Sequence, residues 1–455
     1  MKKLKGFIAL FGTAVVVWVY LLMTLAGRER SSISSNDYVE QLSLSVDQLE
    51  KQVKLDREEV QRLKATLNRV SASLSRSELD NRIPPNAPVE EQSRRWTEPI
   101  PVVVFACNRP GAVKRIVDRL IRFRPSKELF PITVSQDCNN MPVQRAVAEF
   151  RDEVDYVKHQ SAQEAKVVVP SVHSHYETYY YISRHYKLAL EYVFDKIGHS
   201  SVILLEDDLD IAQDFFEYFS ATRYLLDRDP MLWCVSAWND NGKEQSIDLN
   251  AVSLLYRSDF FPGLGWMMSR KLWQELKPKW PAGFWDDWLR EPENRKGRQC
   301  IRPEVSRTMM TPLGKRGASK GQFFDKHLAK VVLSNASVSF TTMNLDYLLN
   351  PRYDTEFNRL VYSESPLMSI DDAVSFSMQN SGTGRSIRVE YTGNIDYIRK
   401  ADKLRVMHDF KAGVPRTAYR GIVSCFLNGV RIFLVPDRQF VKEYDKKWEV
   451  PSQYD

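Results

Sequence analysis

The sequence predicts an α/β fold with a parallel sheet, followed by a smaller C-terminal domain that contains strands. Two further elements precede them, an N-terminal transmembrane helix and a coiled-coil stem. Apolar runs of strand length alternate with helical segments after residue 98, and this alternation is typical of parallel sheets. Near the C-terminus, two strand-like runs flank Asn428-Gly429, which predicts a β-hairpin.

The first element is a predicted membrane anchor over residues 6–26. This stretch carries no charged residue, and as a helix it would span about 31 Å, enough for a bilayer core. Lysines precede it and arginines follow it. A cleaved signal peptide is the alternative, but the apolar stretch exceeds the usual length of its hydrophobic region. We expect a single-pass type II membrane protein with residues 1–5 in the cytoplasm.

Residues 31–97 predict a coiled-coil stem that ends in a proline-rich linker. An apolar repeat of seven residues runs through this stretch, with Asp56 as its one polar exception. The first position holds Val39, Val46, Val53, Val60, Leu67 and Leu74, and the second holds Leu42, Leu49, Leu63 and Val70. β-branched residues followed by leucines favour a parallel dimer, so we expect a homodimer. An amphipathic helix that folds back onto the body is the alternative.

The globular part begins near Glu98 with alternating strands and helices. We predict strands over 100–106, 132–135 and 202–205, and helices over 109–124 and 179–194. Arg109, Asp137 and the acids of 206–208 each follow a strand end. Parallel strands bring such residues to one edge of the sheet, where α/β folds bind their ligands.

The acidic triplet Glu206, Asp207 and Asp208 ends the apolar run of strand residues. Hard divalent cations such as Mg²⁺ and Mn²⁺ prefer carboxylate oxygens, so the triplet predicts a metal site that holds a diphosphate. The alternative is that these acids cap a helix predicted over 211–219. Their shared edge with Arg109 and Asp137 favours the ligand site.

A second acidic pair, Asp286 and Asp287, lies between two tryptophans. Aromatic neighbours lower the local polarity and raise a carboxylate pKa toward the range of a general base. The alternative is an ordinary helix start with acids in its first turn. The basic, glycine-rich stretch 313–321 predicts either a loop that meets phosphates or a solvated surface loop.

Composition excludes several classes of protein. Sixty-four basic and 58 acidic residues give a net charge of +6 without a long basic run, so no nucleic acid partner is expected. The five cysteines form no C-x-x-C pair, which argues against zinc, and their odd number leaves at least one thiol outside intrachain disulfides. Asn335 begins an N-glycosylation triplet.

Several motifs occur in a fixed order between about Ile100 and Lys447: Phe105 to Arg109, Ser135 to Cys138, Leu205 to Leu209, Leu232 to Gly242, Asp259 to Trp266 and Phe284 to Trp288. Together they closely resemble the N-acetylglucosaminyltransferase I family, the family 13 glycosyltransferases of the Golgi. The resemblance implies a GT-A catalytic domain over 98–312, a donor-binding loop over 313–328 and a C-terminal domain over 329–455. It implies a lumenal enzyme that transfers GlcNAc from UDP-GlcNAc, with inversion, to the 2-hydroxyl of the α1,3-linked mannose of a five-mannose N-glycan, an oligomannose acceptor on glycoproteins.

The same resemblance implies a role for individual residues. Asp286 would be the catalytic base and Asp208 the ligand of Mn²⁺. The remaining positions would bind substrate: Arg109, Asp137, His185, Glu206, Asp207, Trp285, Arg298 and Ser319. The implied disulfides are Cys107–Cys138 and Cys234–Cys300, with Cys425 free. The chain departs from the family pattern at two places. Asn108 stands where the family has Asp, and the stretch 309–315 is longer than in the family.

Three other functions compete with this interpretation. A glycoside hydrolase also uses two carboxylates but needs no acidic triplet for a metal and a nucleotide. A non-catalytic Golgi coiled-coil protein would explain the anchor and the heptads but not the acidic motifs. A related transferase that adds GlcNAc to O-linked mannose is the closest rival.

Overall fold

The computed structural model describes residues 98–319 and 321–437. The predicted anchor, stem and linker lie outside these residues, as does the end of the chain after residue 437. Within the described ranges, none of the helices combines the length and apolar character needed to cross a bilayer.

The described part is built around a mixed sheet of eight strands, in the order β3-β2-β1-β4-β8-β6-β9-β7. These strands are β1 (Val102–Ala106), β2 (Ile132–Gln136), β3 (Asp155–Lys158), β4 (Ser201–Glu206), β6 (Leu232–Ser236), β7 (Leu255–Ser258), β8 (Trp266–Ser269) and β9 (Gln299–Pro303). A separate pair is formed by β5 (Leu209–Ile211) and β10 (Thr308–Met310).

The prediction of a parallel sheet is correct for six of the eight strands. Strands β1 to β4 pair in parallel, and β6 pairs in parallel with β9, but β8 runs antiparallel to both β4 and β6. Strand β7 is likewise antiparallel to its neighbour β9.

Helices lie between the strands of this sheet: α1 (Pro110–Phe123), α2 (Met141–Ala148), α3 (Glu177–Leu190), α4 (Phe215–Arg228), α5 (Arg270–Leu276), α6 (Trp285–Arg290) and α7 (Pro292–Arg295). Three more follow the sheet in the chain: α8 (Arg352–Asn358), α9 (Ile370–Gln379) and α10 (Asn394–Lys403). Helix α1 shows why they form. Its proline occupies the first turn, where no backbone N–H partner is lost. Its buried residues Val113, Ile116, Val117 and Leu120 follow the helical period and face the sheet.

The predicted helix over 211–219 is wrong at its start. The chain first forms β5, with Leu209 and Ile211 fully buried, and Asp210 paired with Arg119 at 2.7 Å. Helix α4 begins only at Phe215. The acidic triplet is therefore followed by a strand, and the interpretation that it caps a helix is excluded.

The C-terminal part contains a three-stranded sheet of β11 (Ser386–Tyr391), β15 (Val430–Pro436) and β14 (Val423–Leu427). Strands β14 and β15 form the predicted hairpin. Its turn residues Asn428 and Gly429 both have positive φ, 50° and 85°, as a tight hairpin turn requires. A short pair, β12 (Phe410–Lys411) and β13 (Val414–Pro415), lies between α10 and this hairpin.

Candidate active site

The carboxyl ends of β1, β2 and β4 lie at the same level of the sheet. Phe105 of β1 is opposite Ser135 of β2 and Glu206 of β4. The residues that follow these strands therefore meet at one edge, as the sequence predicted. We call the group of Arg109, Asp137 and the triplet Glu206 to Asp208 the acidic edge.

At the acidic edge, a single arginine side chain forms ion pairs with two aspartates. The Arg109 guanidinium donates to Asp207, and its Nη1 lies 3.1 Å from Oδ2 of Asp208. Glu206 has a different partner, because the Tyr186 hydroxyl donates to its Oε1 at 2.9 Å. Two further carboxylate oxygens, Oδ2 of Asp207 and Oδ1 of Asp208, are buried and have no partner among the described residues.

Burial and crowding of negative charge make the acidic edge costly without a cation. Burial, together with the charges of Asp208 and Asp207, raises the pKa of Glu206 to about 7. Burial also raises the pKa of Asp207 to about 6, although Arg109 acts in the opposite direction. Glu206, Asp207 and Asp208 have one arginine, Arg109, as an ion-pair partner among the described residues, with Arg115 donating to the Asp207 carbonyl. A cation is the simplest group that would restore the charge balance.

The residues of the acidic edge fit a hard divalent cation. The unpartnered oxygens of Asp207 and Asp208 are the carboxylate donors that Mn²⁺ or Mg²⁺ takes. The Asp208 backbone is also fixed, because the N–H and Oγ1 of Thr311 donate to its carbonyl at 2.8 and 2.7 Å. Cys107, Asp137 and Cys138 also cluster closely. Both cysteines are oxidised to a disulfide, so that cluster offers no thiolates.

Asp137 and His185 form a second buried contact at this edge. Nδ1 of His185 lies 3.3 Å from Oδ1 of Asp137, and its Nε2 lies 2.9 Å from Oγ of Ser135. Burial lowers the pKa of His185 to about 3 and raises the pKa of Asp137 to about 6. The imidazole is therefore neutral at physiological pH and acts here as a hydrogen-bonding group.

The disulfides agree with the pairing that the family resemblance implied. Cys107 and Cys138 are joined directly after β1 and β2, so this bridge fastens two of the loops at the acidic edge. Cys234 and Cys300 join the neighbouring strands β6 and β9. Cys425 is free and buried, and burial raises its thiol pKa to about 12.

The second acidic pair occupies the first turn of helix α6, so the prediction of a helix start is also correct. Nη1 of Arg290 lies 2.9 Å from Asp286 and 2.7 Å from Asp287. The buried arginine is itself held by a hydrogen bond from its Nε to the Phe261 carbonyl at 3.1 Å. Nζ of Lys411 lies 3.6 Å from Asp287. We call Asp286, Asp287 and Arg290 the base helix.

Tyr186 and Trp285 connect the two acidic groups. The ring of Tyr186 stacks on Trp285 at a centroid distance of 4.1 Å, while its hydroxyl binds Glu206. Trp285 in turn stacks 6.0 Å from Trp266, the first residue of β8. Asp286 follows Trp285 directly and keeps about a third of its side chain exposed (37%). A ligand at the acidic edge therefore lies close to an accessible carboxylate.

Two predicted residues lie apart from this group. Ser319 lies in the turn that follows Pro312–Arg316, and its carbonyl accepts a hydrogen bond from Gln322. Arg298 precedes β9 at the opposite ends of the strands, because β9 and β6 run parallel to β4 and begin at that edge. There it pairs with Glu275 at 3.0 Å. The structure does not bring Arg298 to the acidic edge.

The sequence interpretation missed three residues that shape the site: Tyr186, Arg290 and Thr311. Arg290 had a readable signal, since it is four residues after Asp286 in a predicted helix. Tyr186 directly follows His185 in the sequence, but only its stacking on Trp285 in the structure shows that it belongs to the site. Thr311 lies a hundred residues from Asp208 along the chain, so no local pattern could connect them.

Comparisons with known proteins concern the chain as a whole. A relative from Arabidopsis thaliana, named alpha-1,3-mannosyl-glycoprotein 2-beta-N-acetylglucosaminyltransferase, is 40% identical over 339 residues, which are 74% of each chain. Similar solved structures include mannosyltransferase PcManGT from Pyrobaculum calidifontis in complex with GDP-Man and Mn²⁺, at 14% identity, with 48% of this chain and 63% of that chain covered and a TM-score of 0.30. S. aureus TarS 1–349 in complex with UDP-GlcNAc gives 11% identity, 46% and 57% coverage and a TM-score of 0.32. TM-scores of 0.30 and 0.32 are too low to support a functional conclusion.

The family comparison is the decisive one. The family model described as GNT-I matches residues 7–448, nearly the whole chain. Together with the 40% identity of the plant relative, this match confirms the resemblance inferred from the motifs. The chain belongs to the GNT-I family.

Proposed function

We propose that this chain is an inverting glycosyltransferase of GT-A fold that transfers GlcNAc from UDP-GlcNAc to the 2-hydroxyl of the α1,3-linked mannose of a five-mannose N-glycan. The new linkage is β1,2, and the reaction begins hybrid and complex N-glycan synthesis. Membership of the GNT-I family and the name of the plant relative support this activity. The observation that carries it is the pairing of two acidic groups of different character through Tyr186 and Trp285.

Each part of the site has a role in this proposal. Asp208 holds Mn²⁺, Asp207 contacts the ribose, and Glu206 contacts the GlcNAc. Arg109, Asp137 and His185 bind UDP, Trp285 contacts the donor sugar, and Ser319 binds from the loop over the donor. When bound, Mn²⁺ supplies a Lewis acid that neutralises charge on the diphosphate. Arg298 carries no role at the acidic edge in this proposal, because it lies at the other ends of the strands.

The chemistry is a single displacement. The mannose 2-oxygen attacks the anomeric carbon of GlcNAc, the bond from that carbon to the diphosphate oxygen breaks, and UDP leaves with the electron pair. Asp286 accepts the hydroxyl proton as the new bond forms. Inversion requires base and leaving group on opposite faces of the anomeric carbon, which two separate acidic groups satisfy. Arg290 holds Asp286 in place through its hydrogen bond.

We also propose that the enzyme is a single-pass type II protein of the Golgi membrane, anchored by residues 6–26. The lysines before this apolar stretch and the heptads after it support the anchor and a parallel dimer. Chemical cross-linking of the full-length chain tests the dimer, and a monomer at all protein concentrations would contradict it.

The experiment that tests the activity is an acceptor panel. The purified full-length chain is incubated with UDP-GlcNAc, Mn²⁺ and either the five-mannose glycan or a peptide with O-linked mannose. We expect one GlcNAc on the N-glycan, and linkage analysis should give β1,2. Transfer only to the O-mannosyl peptide would replace the proposal with the related transferase, and no transfer to either acceptor would refute both.

A further inference from the structure

A group of aromatic side chains lies at the surface beside the base helix. Tyr179 stacks on Phe284 at 4.9 Å, and the rings of His173 and Tyr176 lie 5.4 and 6.0 Å from the same phenylalanine. Tyr176 is 51% exposed, and the other three are partly exposed. We call His173, Tyr176, Tyr179 and Phe284 the aromatic shelf. Contiguous exposed aromatic groups often mark a binding surface.

The backbone holds Phe284 on this shelf in an unfavourable conformation. Its φ and ψ are 52° and 44°, in the left-handed region that a bulky aromatic residue rarely adopts. The preceding Gly283 is pressed against Tyr180, so that a Cβ there would lie 2.9 Å from the ring. Close packing beneath the loop therefore fixes the strained turn. Strain of this kind persists mainly where it places a group for function.

The shelf continues the row of groups that begins at the acidic edge. Tyr179 and Tyr186 are seven residues apart on α3, so they share one helix face about 10 Å apart. Tyr186 binds Glu206. Burial and the charges of Asp286 and Asp287 raise the pKa of Tyr179, which shows that its hydroxyl lies near the base helix. Along α3 from Tyr186 to Tyr179, the stacking partner changes from Trp285 to Phe284, so the shelf continues from the Trp285 stack.

We propose that the aromatic shelf binds hexose rings of the acceptor oligosaccharide, next to the mannose whose 2-hydroxyl reacts. This inference rests on the proposed function and assigns its acceptor site. One face of a hexose ring carries C–H groups, which pack on the electron-rich faces of aromatic rings. The ring edges carry hydroxyls, which hydrogen-bond to carboxylates such as Asp287. The acceptor hydroxyl would then reach the anomeric carbon from the side of Asp286, with the diphosphate leaving group on the opposite face of that carbon, as an inverting displacement requires.

The charges around the shelf favour a neutral sugar over an anionic membrane surface. Asp286 and Asp287 lie beside Tyr179, and Glu177 accepts a hydrogen bond from Tyr181 on the same helix. Arg290 and Lys411 balance the charge of Asp286 and Asp287, so the border has no excess of positive charge to attract anionic lipid headgroups. The carboxylate oxygens accept hydrogen bonds from neutral hydroxyls. The small size of the shelf also matches a few sugar rings.

The test measures glycan binding directly, apart from catalysis. The full-length chain with UDP and Mn²⁺ is titrated with the five-mannose glycan, and binding is followed by ligand-detected NMR. Tyr176→Ala removes an exposed ring, and Phe284→Asn keeps a residue that tolerates the left-handed conformation. We expect each variant to weaken glycan binding about tenfold. The dissociation constant of UDP should stay within twofold of wild type.

Tyr181→Ala is the matched control, because it removes a tyrosine from the same helix that bonds Glu177 and lies outside the shelf. It should bind the glycan normally. Normal glycan binding by both shelf variants would overturn the inference while leaving the transferase activity intact. A loss of UDP binding as large as the loss of glycan binding would also overturn the inference, because the shelf would then stabilise the donor site and not bind the acceptor. If wild type binds the glycan through the shelf but transfers no GlcNAc, the proposed function fails and the inference stands.

Discussion

The acidic edge and the base helix contain the same kind of residue in opposite environments. At the acidic edge the carboxyl groups of Asp207 and Asp208 are buried, and each has an oxygen without a partner among the described residues. On the base helix, Asp286 and Asp287 are more than a third exposed and share a buried arginine. Burial raises the pKa of Asp207. Although burial acts in the same direction on Asp287, Arg290 and Lys411 lower its pKa overall.

This difference teaches what each group can do. A buried excess of negative charge is incomplete by itself and fits a site that a cation completes. An accessible carboxylate already paired with arginine is complete without a metal, and its exposed oxygen can accept a proton from a hydroxyl. Four kinds of variant test whether the two groups are as different as their surroundings indicate.

The largest effect on turnover is expected from Asp286→Asn. Loss of a general base lowers rates by about 10² to 10⁴, and we expect about 10³. Binding of UDP-GlcNAc with Mn²⁺ should be unchanged, since the acidic edge is intact. Steady-state kinetics and calorimetric titration measure the two quantities. Turnover within tenfold of wild type would refute the assignment of the base.

Asp208→Asn should act on the other group. We expect transfer to fall about 100-fold, because a lost carboxylate ligand weakens the cation that neutralises the diphosphate. Unlike the first variant, it should lose the Mn²⁺ dependence of UDP binding. Asp118→Asn, an exposed aspartate paired with Arg122 on α1, is the control and should behave as wild type. Metal-dependent UDP binding that survives in Asp208→Asn would remove the distinction between the two groups.

Arg290→Gln tests the support of the base helix. Without the guanidinium, neither aspartate keeps its partner at 2.9 or 2.7 Å. We expect kcat to fall about tenfold through misplacement of Asp286, with the UDP-GlcNAc dissociation constant unchanged. Arg290→Lys should restore part of kcat, because it returns the charge to the two aspartates but loses the Nε hydrogen bond to the Phe261 carbonyl. A change in donor affinity without a change in kcat would contradict a positioning role.

The smallest effect concerns acid stability at the acidic edge. The pKa of His185 is about 3 in the fold, below its value of 6.5 in the unfolded chain, so unfolding takes up a proton below pH 6.5. Stability from neutral His185 is fully present above pH 6.5 and is lost as pH falls toward 3. From pH 7 to 5.5 the loss is about 1 kcal/mol.

Denaturant unfolding of His185→Gln should therefore show a shallower acid dependence than wild type. Asp137 contributes with the opposite sign, because its raised pKa of about 6 makes the fold take up a proton in acid. Asp137→Asn measured alongside separates the two contributions. His175→Gln, at an exposed position, serves as the control and should match wild type. Identical pH slopes for wild type and His185→Gln would show that the edge is better solvated than its burial indicates.

The sequence predicted the acidic edge well because strand ends are easy to read. The runs that form β1, β2 and β4 are apolar and almost fully buried, so their lengths and their polar C-terminal neighbours are visible in the sequence. The hairpin was equally readable, since Asn428-Gly429 fits one turn geometry. In both cases a local sequence pattern is sufficient to predict the structure.

The rest depends on contacts that are distant in sequence. Nothing in the four residues of β8 tells that this strand enters antiparallel between β4 and β6, because strand direction is set by partners. The residues after the triplet looked helical, yet β5 forms because β10, about a hundred residues later, pairs with it. The proposed roles of the individual site residues come from the family motifs and remain predictions.

Thr311 links Asp208 to the proposed donor loop. Its N–H and its hydroxyl both bind the Asp208 carbonyl, and the proposed loop begins two residues later, at residue 313. The arrangement of the proposed loop and the position of Asp208, the proposed metal ligand, are therefore coupled. Linkage is reciprocal: if an occupied metal favours one loop arrangement by a given factor, a substrate that selects that arrangement tightens the metal by the same factor. Thr311→Val, which keeps the N–H and removes the hydroxyl, should reduce that shared factor from both directions.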